Sequence, residues 1–178
     1  MEEISNKVAQ SGLVEFNLEE YYNHAEKVHI DLKDFLSAIP VGNSNAYILK
    51  EKPFRELVSK LDLSNFQNKL VAISCSVDAI VPTWAYMLLS LALTPIAKKV
   101  VIGSLTLLDD ILFIEALNKI EGNKFQDAKV VIKGCSKFNV PISAYAQIAV
   151  ILKPFAKSIM FGEPCSTVPL YKRPKTDA

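Results

Sequence analysis

"FQNKLVAISCSVDAIVPTWAYMLLSLALTPIAKKVVIG" occupies residues 66–103, and residues 125–162 repeat its plan as "FQDAKVVIKGCSKFNVPISAYAQIAVILKPFAKSIMFG". Identical residues recur at a constant spacing of 59 positions, and they include the pairs Phe66 and Phe125, Pro82 and Pro141, Tyr86 and Tyr145, Pro95 and Pro154, Lys98 and Lys157, and Gly103 and Gly162. A spacing this regular indicates an internal repeat.

Each copy of the repeat predicts a βαβ unit. A short apolar run rich in β-branched residues, at 70–73 and at 130–132, leads into Cys-Ser. Val-Pro follows, and it favours a sharp start to a helix, because proline suits the first helical turn and restricts the residue before it to extended geometry. A second apolar run, at 100–102 and at 159–161, ends at glycine. The periodic apolar segment between the copies predicts one more helix, stopped by Gly122.

Apolar strands that alternate with helices are typical of a parallel sheet covered on both faces. We therefore predict an α/β fold, with a mainly parallel sheet, helices on both faces and an internal βαβ duplication formed by 66–103 and 125–162. Residues 1–65 predict an N-terminal β-containing layer, with strands at "VEFNL", "VHIDL" and "AYILK", a short helix over 53–61 and a loop at "AIPVGNSN". One domain over 1–178, with a flexible tail over 170–178, fits the length and composition.

Composition excludes several functional classes. Twenty basic residues against nineteen acidic ones provide no excess charge for nucleic acid or for an anionic membrane. The polar, acidic start "MEEISNKVAQSG" is unlike a secretory signal, so we expect a cytoplasmic protein with reduced thiols. The apolar helix over 82–94 has little polar face, so it is either deeply buried or pairs with another subunit, as in a homodimer.

All three cysteines lie in one phrase, in which Cys-Ser is followed shortly by Val-Pro; the phrase occurs at 74–82, 134–141 and 162–169. Cys75, Cys135 and Cys165 each follow the end of a predicted strand, where ligands of parallel sheets gather. We therefore expect the three thiols to lie at one edge of one sheet. Because Cys75 and Cys135 are 60 rather than 59 positions apart, we interpret the second copy as having gained one residue before its cysteine and lost one after it.

Three thiolates predict a metal site, with zinc or an iron-sulfur cluster as the centre and one coordination position left open. Candidate additional ligands are Asp78 and Glu163. The serines that follow the cysteines, Ser76, Ser136 and Ser166, are candidate cofactor-binding residues. The chain has no C-x-x-C pair, so the usual local signature of such sites is absent.

Two other interpretations remain open. A cysteine near a helix N-terminus has a stabilised thiolate, which would suit a thiol-dependent enzyme or a redox protein. Neither His24 nor His29 can be placed as its base, and a Cys-x5-Arg phosphatase loop is excluded because the only arginines are Arg55 and Arg173. The third interpretation is a structural or interaction protein in which the cysteines are small core residues and the serines bond locally.

The segments "CSVDAIVPTWAYM" and "AKSIMFGEPCSTVPLYK" resemble an uncharacterised bacterial family, domain of unknown function 2480, over nearly the whole chain. The resemblance implies no defined activity. Genes of that family often lie beside iron-sulfur cluster assembly genes, so the resemblance implies iron or a cluster rather than zinc, with Cys75, Cys135 and Cys165 as ligands. Iron-sulfur assembly proteins are then the expected partners.

Overall fold

The computed structural model describes residues 12–41, 44–134, 137–163 and 165–174. Within them the strands are β1 (Leu13–Asn17), β2 (Lys27–Asp31), β3 (Ser37–Val41), β4 (Ser44–Ile48), β5 (Leu70–Ser74), β6 (Ala79–Ile80), β7 (Lys99–Ile102), β8 (Lys129–Lys133), β9 (Ser158–Glu163) and β10 (Ser166–Lys172). The α-helices are α1 (Glu51–Ser59), α2 (Thr83–Leu93), α3 (Leu105–Leu117) and α4 (Ile142–Leu152).

The chain divides into two compact units. The central unit is the continuous segment from His24 to Asp109, and the terminal unit combines the residues up to Asn23 with those from Asp110 onward. Helix α3 contains the point at which the chain passes from the central unit to the terminal unit.

The main sheet of the central unit has the order β2-β5-β7, and all of its strands are parallel. The middle strand is apolar throughout residues 70–73, all of which are fully buried. Ile73 belongs to a core that includes Phe54 of α1 and Leu89 of α2. A smaller sheet in the same unit has the order β3-β4-β6.

The sheet of the terminal unit has the order β1-β8-β9-β10. The first three strands are parallel, and β10 runs antiparallel along the outer side of β9. The core of this unit joins Ile132 of the sheet to Ile148 of α4 and Phe113 of α3. The two main sheets thus have the same parallel arrangement, and the terminal one has an additional strand.

Local geometry recurs at the 59-residue spacing seen in the sequence. Asn68 and Asp127 both adopt the left-handed conformation, with φ of 59° and 57°. Their backbone N–H groups donate to the matching carbonyls of Ile96 (3.0 Å) and Phe155 (2.9 Å). The N-terminal strands match as well, because β1 lies beside β8 in the register in which β2 lies beside β5.

The fold is mixed α/β, and the predicted parallel pairs β5 with β7 and β8 with β9 are present. The expectation that they share one sheet is wrong, because β5 and β8 belong to different sheets. The N-terminal strands contribute to this difference: β1 and β9 occupy the two sides of β8, and β2 and β7 occupy the two sides of β5, so neither repeat strand pairs with a strand of the other unit.

The N-terminal strands predicted at "VEFNL" and "VHIDL" are present as β1 and β2, and each lies beside a repeat strand. The helix predicted over 53–61 begins and ends two residues earlier, as α1. The loop predicted at "AIPVGNSN" is wrong, because β3 and β4 form an antiparallel pair in which Pro40 lies opposite Asn45. Residues 170–172 of the predicted tail belong to β10.

The helix predicted over 82–94 is partly buried and partly exposed. In α2, Leu89 and Leu93 are fully buried, but Met87 is 60% and Leu91 is 72% exposed. Across the described ranges, no helix combines the length and the apolar character needed to cross a membrane.

Candidate functional site

Cys75 follows directly after β5 in the central unit and is half-buried. Its Sγ donates a hydrogen bond to the carbonyl of Val77, at 3.5 Å, so the thiol points into its own loop. Burial, and then the charge on an ionised Cys75, raise the pKa of the Tyr86 phenol. The phenol therefore lies within electrostatic range of the thiol.

A polar network surrounds the strand ends beside Cys75. His29 Nε2 and Ser74 Oγ, on adjacent strands, lie 2.7 Å apart. The Asp31 carboxylate accepts hydrogen bonds from the backbone N–H groups of Lys33 and Ser76, both at 3.0 Å. Burial acts to raise the pKa of Asp31, but the bonds from Ser76 and Lys33 and the charge on His29 outweigh it and lower the pKa. Asp31 thus anchors the loop that carries Cys75.

Two other predicted site residues, Ser76 and Asp78, lie in the same loop of the central unit. Ser76 is exposed, and its N–H is bonded to Asp31. Asp78 is exposed in the bend before β6. Both lie within three residues of Cys75, as the sequence requires, on the loop between β5 and β6.

In the terminal unit, Cys165 is an exposed free cysteine in the turn between β9 and β10. Glu163, the last residue of β9, lies opposite Ser166, the first residue of β10, and both are exposed. Cys135 and Ser136 lie outside the described residues. The structure thus brings three of the predicted site residues together around one turn.

The neighbouring strand end carries a charged cluster. Lys133, the last residue of β8, forms an ion pair with Glu15 of β1, with Nζ 2.5 Å from the carboxylate. The bond to Glu15 raises the pKa of Lys133 and burial acts against it, while the charges of Glu15, Glu163 and Glu20 raise the pKa further. Glu163 therefore lies in the field of a cation at the edge where β8 and β9 both end.

The loop after β8 is held by a buried carboxylate that sequence reasoning missed. Glu19 is 9% exposed and accepts hydrogen bonds from the N–H groups of Lys137 (2.5 Å) and Phe138 (3.2 Å). At the start of the same loop, the Tyr145 hydroxyl donates a hydrogen bond to the carbonyl of Gly134, at 2.5 Å. No local motif signals Glu19, because its partners lie more than a hundred residues away in the sequence.

Strand register agrees with the interpretation that one residue is gained before Cys135. β5 and β8 match residue for residue up to Ser74 and Lys133, so the gained residue would be Gly134, which stands between β8 and Cys135 in the sequence. Gly134 has φ of +149°, and a Cβ there would lie 2.8 Å from Leu18 Cβ. This position therefore excludes a side chain.

The expectation that three thiols share one edge of one sheet is also wrong, because Cys75 follows a strand of one sheet and Cys165 follows a strand of another. Among the described residues, which exclude Cys135, no group of three or more His, Cys, Asp or Glu side chains is arranged to hold a metal ion. A metal site formed by all three cysteines stays a prediction.

The protein is therefore a mixed α/β protein in which free cysteines lie just beyond the ends of two parallel strands. A family model described as "Protein of unknown function (DUF2480)" matches residues 2–173, and the chain belongs to this family. The family resemblance seen in the sequence is thereby confirmed. No curated protein and no solved structure matches the chain.

Proposed function

We propose that the terminal unit binds a metal centre through Cys135 and Cys165, and that the protein is an accessory or carrier in iron-sulfur cluster assembly. One observation carries the proposal: Cys165 is exposed just after β9, whose parallel neighbour β8 ends two residues before Cys135 in the sequence. Neighbouring strands lie about 4.8 Å apart, so we expect residues that follow two adjacent strand ends in the chain to be close enough to share a metal.

The ligand chemistry favours a soft metal. Two thiolates suit an iron-sulfur cluster or zinc, and the exposed carboxylate of Glu163 supplies an oxygen ligand on the same turn. The hydroxyls of Ser136 and Ser166 are candidate donors to cofactor sulfur. A site with so few protein ligands keeps coordination positions open, as a carrier needs in order to pass its metal on.

In the wider form of the proposal, Cys75 is a third ligand, with Asp78 and Ser76 as additional residues of the site. Its support is that Cys75 is a free, half-buried cysteine just beyond a strand end. Free thiols fit a reducing cytoplasm. Iron-sulfur assembly proteins are the proposed partners, on the strength of the family resemblance.

The test is metal and sulfide analysis with an absorption spectrum, on protein purified without oxygen. Wild type is compared with Cys135→Ser, Cys165→Ser and Cys75→Ser, and circular dichroism verifies that each variant is folded. We expect iron and sulfide, or near-stoichiometric zinc, in wild type and a loss of at least about tenfold in the first two variants. Retention in Cys75→Ser would limit the site to the terminal unit, whereas loss would support the three-cysteine form.

Wild-type protein that stays empty after reconstitution would overturn the proposal. Alkylation of the intact protein would then separate the alternatives. Rapid and selective modification of one cysteine favours thiol chemistry, and uniformly slow modification favours a structural role.

We also propose that the two units arose by duplication of one parallel βαβ unit, as the sequence repeat suggests. The matching hydrogen bonds of Asn68 and Asp127 support this, as does the shared register of β1 with β8 and β2 with β5. A homologous chain that has one unit only would support the proposal. So would a circular permutant that still folds after β1 has been moved in the sequence to follow the other strands of the terminal unit. Failure of every such permutant to fold would count against it.

A further inference from the structure

The strand β7 is the terminal strand of its sheet. It pairs with β5 on one side, and among the described strands none lies on its other side. The strand at the matching position of the terminal unit, β9, is covered on that side by the antiparallel strand β10. In the terminal unit, the side that corresponds to the open side of β7 therefore accepts an antiparallel strand.

The open side of β7 presents unused backbone groups. The N–H of Gly103 donates to the carbonyl of Ile73 at 2.7 Å, so the peptide groups of Gly103 face β5. Successive residues of a strand direct these groups to opposite sides, which places the N–H and C=O of Val100 and Ile102 on the outer side. Such an edge is a template for pairing with another strand.

An apolar patch adjoins this edge. Ile102 is 45% exposed, and Leu105 and Leu107, at the start of α3, are 38% and 42% exposed. Contiguous exposed apolar side chains next to an open edge are a common feature of interaction surfaces. The backbone groups and the patch lie together at the end of β7.

We propose that β7 pairs with β7 of a second copy of this chain, antiparallel and across a two-fold axis, to form a homodimer with a continuous six-stranded sheet. Because this two-fold axis is normal to the sheet, each side chain lies on the same face of the sheet in both copies. The register that pairs the outward backbone groups of Val100 with those of Ile102 in the second copy places Val101 opposite Val101. Four backbone hydrogen bonds form, and Ile102 is covered.

The charge of Lys99 favours the antiparallel arrangement over a parallel one. In the antiparallel register, Lys99 lies opposite Gly103 of the second copy, so no like charges face each other. A parallel pairing would place Lys99 against Lys99, which is destabilising. The two lysines that precede the apolar run also limit further growth, since charged residues at a short edge strand oppose open-ended aggregation.

The first experiment measures molar mass in solution over a range of protein concentrations. Wild type should be a dimer, and Ile102→Asp should raise its dissociation constant at least about tenfold, because each copy would bury a charge beside Val100 of the other. Leu91→Asp is the matched control: it places the same charge on an exposed apolar residue that belongs to α2 and not to β7, and it should leave the dimer intact. A monomeric wild type overturns the proposal, as does a dimer that only Leu91→Asp disrupts.

The second experiment tests the register in folded protein. Opposed residues of a non-hydrogen-bonded antiparallel pair have Cα atoms about 4.5 Å apart, within the range for a disulfide. Val101→Cys should therefore form an intermolecular disulfide on mild oxidation, identified by the mass of the linked peptide, so the native cysteines can stay. Val100→Cys should not link to itself, since it faces residue 102. The reverse result would overturn the register and the two-fold pairing.

Discussion

Gly134, which follows directly after β8, has a backbone conformation that side chains rarely adopt. Its positive φ and the short approach to Leu18 leave no space for a Cβ. Gly134→Ala should therefore lower the free energy of unfolding by about 1–3 kcal/mol, measured by urea denaturation. Gly12→Ala is the control: it has φ of +62° but no neighbour within 4 Å of the added Cβ, so its effect should be smaller. Equal effects would contradict a steric role for Leu18.

At the same scale, Asp31 makes stability depend on pH. Its pKa is lowered in the folded state, so the carboxylate stabilises the fold above the unfolded pKa, near 4, and this contribution is lost as the pH falls through the folded value. Asp31→Asn should therefore show a weaker loss of stability than wild type below about pH 4. Thermal unfolding between neutral and acidic pH checks this, and parallel curves for the two proteins would refute it.

Residue-scale prediction from sequence succeeded where the signal was local. Val-Pro located the starts of α2 and α4 because proline restricts its own backbone and that of its predecessor. It failed for Glu19, and it could not detect the His29 to Ser74 contact, because both depend on partners distant in the chain. The close approach of Gly134 to Leu18 was beyond local prediction for the same reason.

At the scale of elements, the loop after β8 depends on Glu19. Glu19→Ala removes the acceptor of two backbone N–H groups, and we expect a loss of about 2–4 kcal/mol in the free energy of unfolding. Glu19→Gln keeps an acceptor oxygen and should lose less. Urea denaturation measures both variants, and faster hydrogen exchange at Lys137 and Phe138 would locate the effect. An unchanged exchange rate there would contradict the anchoring role.

The element types in the repeated segments followed from apolar runs and glycine or proline boundaries, so β5, β7, β8, β9, α2 and α4 were predicted close to their observed bounds. The strand predicted at "AYILK" is present as part of β4, but β3 and the start of β4 were missed because Pro40 and the adjacent glycine and asparagines favour a loop in isolation. Pro40 lies in β3, an edge strand of the small β3-β4-β6 sheet, and an edge strand tolerates proline. Pairing partners, unlike element types, are set by contacts across the chain.

For the whole molecule, two cores lie in two compact units, and each has fully buried leucine or isoleucine side chains on its repeat helix. Leu89→Ala in the central unit and Ile148→Ala in the terminal unit should each lower the free energy of unfolding by about 2–5 kcal/mol. Hydrogen exchange should accelerate first around β5 in the former variant and around β8 in the latter. Equal acceleration of both strands in both variants would show that the two cores open as one.

The whole-molecule arrangement was the least predictable part. The sequence repeat indicated one sheet containing both copies, and nothing local shows that β1 and β2, only a few residues apart in the chain, belong to different sheets. That separation depends on which side chains each strand buries beside its neighbours, and these contacts join residues distant in the chain, so no periodicity encodes them.

The arrangement of the terminal unit also has a consequence for biosynthesis. In the sequence, β5 follows its partner β2 after some forty residues, but β8 follows its partner β1 only after more than a hundred residues. At about 5–20 residues per second on the ribosome, β1 spends roughly 5–20 s without its partner. Force measurements on stalled nascent chains should detect a first folding step once β7 has emerged and a second after β9. Among the described strands, β1 is thus translated first and paired among the last.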